Sequence, residues 1–360
     1  MSTVIFLGAG ASKADGAPLQ GELFKKYFTL IRSNTGLITH QMELELKIFF
    51  EIMFNIDVEA VNLDLIDFPT FEEVLGILEL AQARKESFRE FDSQTITSNS
   101  NRLEKIRIYL IMSMAKVISD CLPSYQGQGF HEKLINGIHS SELSDISFIS
   151  TNYDILIDNA LAKCPSGSSQ GGENVNYGID FTNYTRENNW KRPTTHAIKL
   201  HKIHGSLNWL YCSVCNTITC TPFQKGVIEL IDGHQPLFCN ECESIPQPII
   251  VPPTYFKDMT NPFINQIWAQ AEQTLKKSTH IIFCGYSFPD ADLHIKYLLK
   301  RIQTGSQNRN IKFSIINDFP GKCNEERDIE KKRFKRFLGQ RIEYKNNSFE
   351  DFAENPSRFI

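Results

Sequence analysis

Two Cys-x-x-Cys pairs, Cys212-Ser213-Val214-Cys215 and Cys239-Asn240-Glu241-Cys242, have the residue type and spacing that speak most directly of chemistry. Thiolates at that spacing hold one ion from a tight knuckle, and two knuckles close a tetrahedral zinc site. Four sulfur ligands leave no position for water, so the expected metal is structural. Cys220 lies between the pairs but lacks a partner at knuckle spacing. With only Lys225 as an internal base, the module reads as a staple of the fold and not as a nucleic-acid reader.

A second set is polar and glycine-rich. Gly8-Ala9-Gly10-Ala11-Ser12 follows the apolar run Val4-Ile5-Phe6-Leu7, Thr151-Asn152-Tyr153-Asp154 follows Ile146-Ser147-Phe148-Ile149, and Gly285-Tyr286-Ser287 follows Ile281-Ile282-Phe283. Such placement puts them at the carboxyl edge of a parallel sheet, where open α/β folds bind nucleotides. Without side chains at Gly8 and Gly10, backbone N–H groups can approach a pyrophosphate at a helix N-terminus. The six-residue dinucleotide fingerprint wants glycine at position 13, where this chain has Lys13. Asn152 and Asp154 suit either a polar pocket above the sheet or the cap of the helix that follows. His204-Gly205 suits either a general base or a satisfied structural histidine, and His201 is equally eligible by composition.

These segments need elements that bring them together. Residues 22–32 carry Leu23, Phe24, Tyr27, Phe28 and Ile31 at helical spacing. From Gln41 to Pro123 the pattern is almost wholly helical, with Phe71–Ala83 opened by the capping box of Thr70 and Glu73 and Leu103–Leu122 closing the set. The expectation is a helical subdomain, 41–123, inserted into a domain made of residues 1–40 and 124–360. Strands at 146–150, 197–203, 280–284 and 311–316 alternate with helices at 155–161, 262–276 and 291–302. That alternation predicts an α/β fold, a doubly wound parallel, Rossmann-like sheet, with a small zinc-ribbon module at 206–250. The stretches 93–101 and 165–176 read as surface loops, the second placed to close over a ligand.

Composition narrows the class. The chain has 360 residues, 41% hydrophobic and 22% charged, enough for a full core and a satellite module. A net charge of -4 argues against broad affinity for nucleic acid, and no direct nucleic-acid binding is expected. The bases Lys331, Lys332, Arg333, Lys335 and Arg336 read as the wet face of a helix whose buried side is Phe334, Phe337 and Leu338. The first apolar run stops at a glycine after four residues, so no secretion signal is expected. The stretch Tyr109–Leu122 is broken by Lys116 and Asp120 and is too short for a bilayer, so no membrane anchor is expected. Five of the nine cysteines are scattered, which fits a reducing, cytoplasmic setting better than a disulfide scaffold.

Taken together, order and spacing resemble the sirtuin superfamily of NAD-consuming enzymes. Its Gly-Ala-Gly-x-Ser and later Gly-Ile-Pro correspond to Gly8–Ser12 and Gly16-Ala17-Pro18, and its Gln-Asn-Ile-Asp to Thr151–Asp154. Its His-Gly with a following four-cysteine module falls on His204-Gly205, its Gly-x-Ser on Gly285–Ser287, and a last strand ending in asparagine on Ile315-Ile316-Asn317. The resemblance implies NAD as substrate and structural zinc on Cys212, Cys215, Cys239 and Cys242. It implies a catalytic set of Asn152, His204 and Asp154, in which Asn152 places the ribose or a water, His204 contacts the ribose hydroxyls as base, and Asp154 holds the carboxamide. Gly8, Ala9, Gly10 and Ser12 would hold the pyrophosphate, with Thr151 beside them. Gly285 and Ser287 would hold the phosphate and adjoining ribose, and Asn317 the adenosine ribose.

The departures point to a branch of that family. Protein deacylases continue from Gly-Ile-Pro into Asp-Phe-Arg, where this chain has Leu19-Gln20-Gly21, and Thr151 replaces their glutamine. Both changes resemble the divergent bacterial sirtuin-like proteins with Thr-Asn-Tyr-Asp and His-Gly-Ser-Leu-Asn-Trp, here Thr151–Asp154 and His204–Trp209. Those look like NAD glycohydrolases of anti-phage defence, in which water replaces the acyl-lysine and loss of NAD halts the cell. The resemblance implies conditional activity in a homo-oligomer or with a partner such as a HerA-class ATPase, and the 41–123 helices are the segment expected to serve assembly or to form a lid. An NAD-dependent protein deacylase and a silent NAD or ADP-ribose sensor are the alternatives.

Overall fold

The computed structural model describes residues 2–33, 40–59, 62–91, 102–121, 128–163, 175–182, 192–193, 197–220, 238–251, 261–290, 292–305, 310–318 and 321–360. The 93–101 loop, nearly all of the 165–176 loop, Pro123, Cys164 and Lys225 lie outside these residues.

Strand β1, Thr3–Leu7, leads into a short helix α1, Ala9–Ala14. Five helices follow: α2, Leu23–Arg32; α3, His40–Phe54; α4, Phe71–Arg84; α5, Arg102–Cys121; and α6, Phe130–Ser140. The sheet resumes with β2, Ile146–Ser150, then α7, Leu156–Lys163, β3, Val175–Asn176, and β4, Ile198–Lys202. Three strands form the cysteine module: β5, Gly205–Cys212; β6, Thr217–Cys220; and β7, Gln247–Ile250. The second half runs α8, Pro262–Lys277; β8, His280–Cys284; α9, Leu293–Thr304; β9, Lys312–Asp318; α10, Asn324–Leu338; β10, Glu343–Ser348; and α11, Phe349–Glu354.

The main sheet has the order β10-β9-β8-β1-β2-β4-β3, and all its pairings are parallel. Val4, Ile5, Phe6 and Leu7 are all buried because helices cover both faces, which is why β1 is an unbroken apolar run. From β1 the chain builds outward through β2 and β4 on one side and β8 and β9 on the other. The direction of winding therefore reverses beside β1, and a crevice opens above the strand ends there. The fold is the doubly wound Rossmann-like sheet the sequence predicts.

Several elements escape the sequence pattern. β10 reads Glu-Tyr-Lys-Asn-Asn-Ser, an edge strand with no apolar run to announce it. It follows β9, so the strand bearing Asn317 is not the last, and that strand runs on to Asp318. Helices α6 and α11 were not expected, although they pack on each other and cover the sheet. The capping box forms as predicted, with Thr70 Oγ1 accepting from Glu73 N at 3.2 Å and Glu73 Oε2 accepting from Thr70 N at 2.7 Å.

Two apolar clusters organise the packing. One holds the sheet and its flanking helices around Phe6, Phe283 and Phe334. The other joins α2, α3, α4 and α5 around Phe24, Phe50 and Phe71, and it takes in Tyr153, Leu207 and Ile250 from beside the sheet ends. Phe71 meets Tyr153 edge-on, with ring centroids 6.5 Å apart, and Arg107 Nη2 donates to the Ile250 carbonyl at 3.3 Å. The helical set is thus joined to the site by packing as well as by chain. No helix among the described residues is long and apolar enough to cross a membrane.

Candidate active site

A cleft of ≈ 790 Å³ opens above the carboxyl ends of β1, β2, β8 and β9, and Ala9, Gly10, Ser12, Thr151, Asn152 and Asp154 line one side of it. His204, Gly285, Ser287 and Asn317 also face it, so ten of the eleven predicted non-metal residues are drawn together, all except Gly8. Gly8 sits behind its turn. A Cβ there would lie 2.6 Å from the Gly285 carbonyl oxygen and 2.7 Å from Tyr286 Cα, so the missing side chain lets two backbone turns touch. Gly10 N donates to Gly285 O at 2.8 Å and Gly8 N to Cys284 O at 3.0 Å. Those two N–H groups knit the β1 turn to the β8 turn. Gly285 has φ +63, the left-handed region that glycine tolerates.

Asn152, Ser12 and Asp154 form a buried chain of hydrogen bonds. Asn152 Nδ2 donates to Gly8 O at 2.9 Å and to Ser12 Oγ at 2.8 Å. Ser12 Oγ in turn donates to Asp154 Oδ2 at 2.6 Å. Because a carbonyl oxygen only accepts, the Asn152 amide must point its NH2 at Gly8, which leaves Oδ1 as its acceptor for a water or a ribose. Asp154 Oδ1 accepts from Leu156 N at 3.1 Å, so capping of α7 and a place in the site are combined in one carboxylate. Thr151 is tied back to β1, with its N and Oγ1 both donating to Leu7 O, at 3.1 and 3.3 Å.

Sequence reasoning missed Lys202. It is wholly buried at the end of β4, donates to the Asp154 carbonyl, and pairs with Asp158 Oδ2 at 3.0 Å. Tyr177 OH donates to the other Asp158 oxygen at 2.9 Å. A buried ammonium is tolerated because a carboxylate and a carbonyl surround it, and the result is a pinned Asp154 backbone. Only its position at a strand end, opposite the Asp154 turn, could have marked it.

His204 lies on the far wall. It is 2% exposed, and its Nε2 is 3.8 Å from Asp292 Oδ1. Asp292 Oδ2 accepts from Tyr286 OH at 2.7 Å. Burial foremost, and then the Asp292 charge, hold the Tyr286 phenol well above its usual range, so it remains a donor. Asp292 and Tyr286 were both missed as site residues, although Tyr286 stands inside the Gly285–Ser287 segment. His201, the other histidine open to choice, binds Thr274 Oγ1 through Nε2 at 2.9 Å, and burial pushes its pKa down to about 4. It is a structural residue.

The remaining edges of the cleft are held by side chains. Arg333 Nη1 donates to Ser287 O at 2.9 Å, Asn317 Nδ2 to Tyr286 O at 3.2 Å, and Lys322 Nζ to Asn317 O at 2.6 Å. Gln20 Nε2 donates to Glu72 Oε1 at 2.6 Å, so the segment after Gly16 is clamped to α4 of the helical set.

The four cysteines meet as expected. The Sγ atoms of Cys212, Cys215, Cys239 and Cys242 all lie within 4.8 Å of one another, with 3.4 Å between Cys212 and Cys242 and between Cys215 and Cys239. Zinc–sulfur bonds of about 2.3 Å in a tetrahedron put sulfurs roughly 3.8 Å apart, so the donor set could hold zinc. Cys220 is outside this group, its Sγ accepting from Asn208 Nδ2 at 3.6 Å.

Residues 146–338, more than half of the chain, match the family model of the SIR2-like domain. The chain belongs to that family, which supports an NAD-dependent function of sirtuin type. Among solved structures, one described as Sir2Tm bound to a propionylated peptide is 16% identical over 99% of this chain and 92% of its own, with a TM-score of 0.40. Another, described as Sir2 with p53 peptide and NAD+, is 15% identical over 99% and 92%, with a TM-score of 0.40. No curated protein matches the chain.

Proposed function

We propose that this protein is an NAD glycohydrolase. The bond between nicotinamide and C1′ of its ribose breaks with the electron pair leaving on nicotinamide, and water supplies the oxygen that C1′ gains, giving ADP-ribose and a proton. Asn152 Oδ1 orients the water, His204 contacts the ribose hydroxyls and receives the proton, and Asp154 holds the departing carboxamide. Ala9, Gly10, Ser12 and Thr151 bound the pyrophosphate side, Gly285 and Ser287 the phosphate and adjoining ribose, and Asn317 the adenosine ribose. Cys212, Cys215, Cys239 and Cys242 would hold a zinc that supplies no chemistry and would brace the module carrying the strand after His204.

The observation that supports water rather than an acyl-lysine as acceptor is the apolar packing of the cysteine module against the helices near His204. A deacylase needs a channel there between the cysteine module and the sheet. In this chain Leu207 and Ile250 of the module, together with Tyr153, are buried in the cluster of α4 and α5. The clamped segment Leu19-Gln20-Gly21 adds to this, since it lacks the deacylase residues and is bound to Glu72.

An unrestrained hydrolase of a central cofactor would poison its host, so the activity is conditional, in a defence effector that works as a homo-oligomer or with a HerA-class ATPase. The division into 1–40 with 124–360, the 41–123 helices and the 206–250 module belongs to this reading, with the helices as the assembly segment. Exposed Leu44 and Ile52 on α3 and Ile77 and Leu80 on α4 are compatible with that use. The deciding experiment is chromatography of products from NAD with and without an acetylated peptide. Nicotinamide and ADP-ribose released without peptide, and lost in Asn152→Ala and His204→Ala by about 10²-fold or more, are expected. Strict dependence on peptide, with O-acetyl-ADP-ribose formed, would overturn the proposal.

A further inference from the structure

The chemistry of the cleft has an acidic member outside the motifs. We propose that Asp292 is a catalytic residue that, together with His204, binds the vicinal diol of the ribose from which nicotinamide departs, one hydroxyl to each side chain. This rests on the hydrolase reading.

Asp292 and His204 both line the cleft, with Oδ1 and Nε2 beside each other. Asp292 Oδ1 and His204 Nε2 are 3.8 Å apart, too far for a direct hydrogen bond and wider than two cis-hydroxyl oxygens on neighbouring carbons, so each can meet one hydroxyl from outside. Both residues line the cleft and both are almost wholly buried, Asp292 at 1%. The carboxylate does not swing freely, because Tyr286 OH holds its other oxygen at 2.7 Å. The phenol is itself packed, its ring centroid 4.9 Å from that of Phe6 and 6.0 Å from that of Phe288. The Asp292 backbone is anchored at both ends, its N donating to Pro289 O at 3.3 Å and its O accepting from Lys296 N at 3.1 Å.

A fixed carboxylate in that place suits the reaction. As the glycosidic bond lengthens, positive charge builds on C1′ and the ring oxygen, and a preorganised anion beside it stabilises it more than water would. Accepting a hydrogen bond from the neighbouring hydroxyl also makes that oxygen less electron-withdrawing. Asp292 takes no proton in the cycle; the proton of the attacking water leaves through His204.

The test crosses variants with substrates. Wild-type protein, Asp292→Asn and Tyr286→Phe are assayed with NAD and with its 2′-deoxy and 3′-deoxy forms in the nicotinamide ribose, following both turnover and dissociation constants. Thermal melts accompany each variant, and Asp292→Asn is chosen because an amide keeps the shape and can still accept from Tyr286. Asp292→Asn is expected to lower kcat/KM for NAD by about ten- to a hundredfold. One of the two deoxy substrates should then lose no more than about threefold further, because the contact is already gone. The other should keep its full penalty, and Tyr286→Phe should show the same selectivity more weakly. Equal penalties in wild type and Asp292→Asn for both deoxy forms would overturn the proposal. If the wild type does not turn over NAD either alone or with its HerA-class partner, the hydrolase reading falls. The same crossing, read in dissociation constants, then decides whether Asp292 holds a ribose hydroxyl.

Discussion

Ser12 and Asp154, 142 residues apart in the chain, are joined by a 2.6 Å hydrogen bond between Oγ and Oδ2. The bond locks the turn after β1 to the turn after β2, and because Ser12 also accepts from Asn152, three residues of the site share one orientation. Ser12→Ala leaves the buried Asp154 oxygen and one Asn152 hydrogen without this partner. The expected loss is about 1–3 kcal/mol of stability, with coupling to Asp154→Asn of about 0.5–3 kcal/mol in a double-mutant cycle. Denaturant melts of the two single variants and the double measure it, and additive effects would refute the link.

Gly8 and Gly285 are expected to fail as packing positions before they fail as ligand contacts. A Cβ on Gly285 would lie 2.0 Å from Ala11 N, at a φ of +63 that side chains rarely adopt. Gly285→Ala should therefore lower the melting midpoint strongly, by more than 3 kcal/mol in stability terms, and Gly8→Ala should follow in the same direction. Calorimetry without nucleotide is the discriminating measurement. A Gly8→Ala protein with wild-type stability and weakened NAD binding would return Gly8 to the ligand.

For the metal, one zinc per chain is expected by elemental analysis. Cys239→Ser should release it and Cys220→Ser should not, since Cys220 is outside the four-sulfur group. A strong chelator should lower the melting temperature of the wild type and leave that of Cys239→Ser unchanged.

Acid should act through Asp15. Burial opposes its charge, but the hydrogen bond and charge of the His131 ring, with Nδ1 at 2.5 Å, and the N–H groups of Phe130 and His131 together outweigh it, so its carboxyl titrates below the usual value. A depressed carboxyl contributes stability that is fully present above the unfolded value of about 3.9 and is lost as pH falls through the folded value. Asp15→Asn should therefore be less stable than wild type at pH 7. The gap should narrow in melts below about pH 4, and a gap independent of pH would contradict the assignment.

Local pattern reached far in this chain because β1, β2 and β8 are buried on both faces, and double burial writes itself as unbroken apolar runs ending at the site. The cysteine pairs were legible for a similar reason, since a knuckle is a local structure. β10 was not legible, because an edge strand of Glu, Tyr, Lys and Asn carries no apolar signature. Asp292 escaped for another reason: an acidic residue at the start of a helix has an ordinary local explanation as a cap.

The sequence by itself determined the central strands and most of the helices, the glycine turns, the four thiolates and the short polar segments at the strand ends. It could not say what each group touches. That Gly8 serves a backbone contact, that Ser12 belongs to Asp154, that Lys202 pins a carbonyl, and that His204 faces Asp292 were decided by the tertiary structure alone. The physical reason is range: periodicity and turn chemistry act within a few residues, whereas hydrogen bonds between strand ends depend on a sheet order that brings residues 8, 12, 152, 204, 285 and 292 to one crevice.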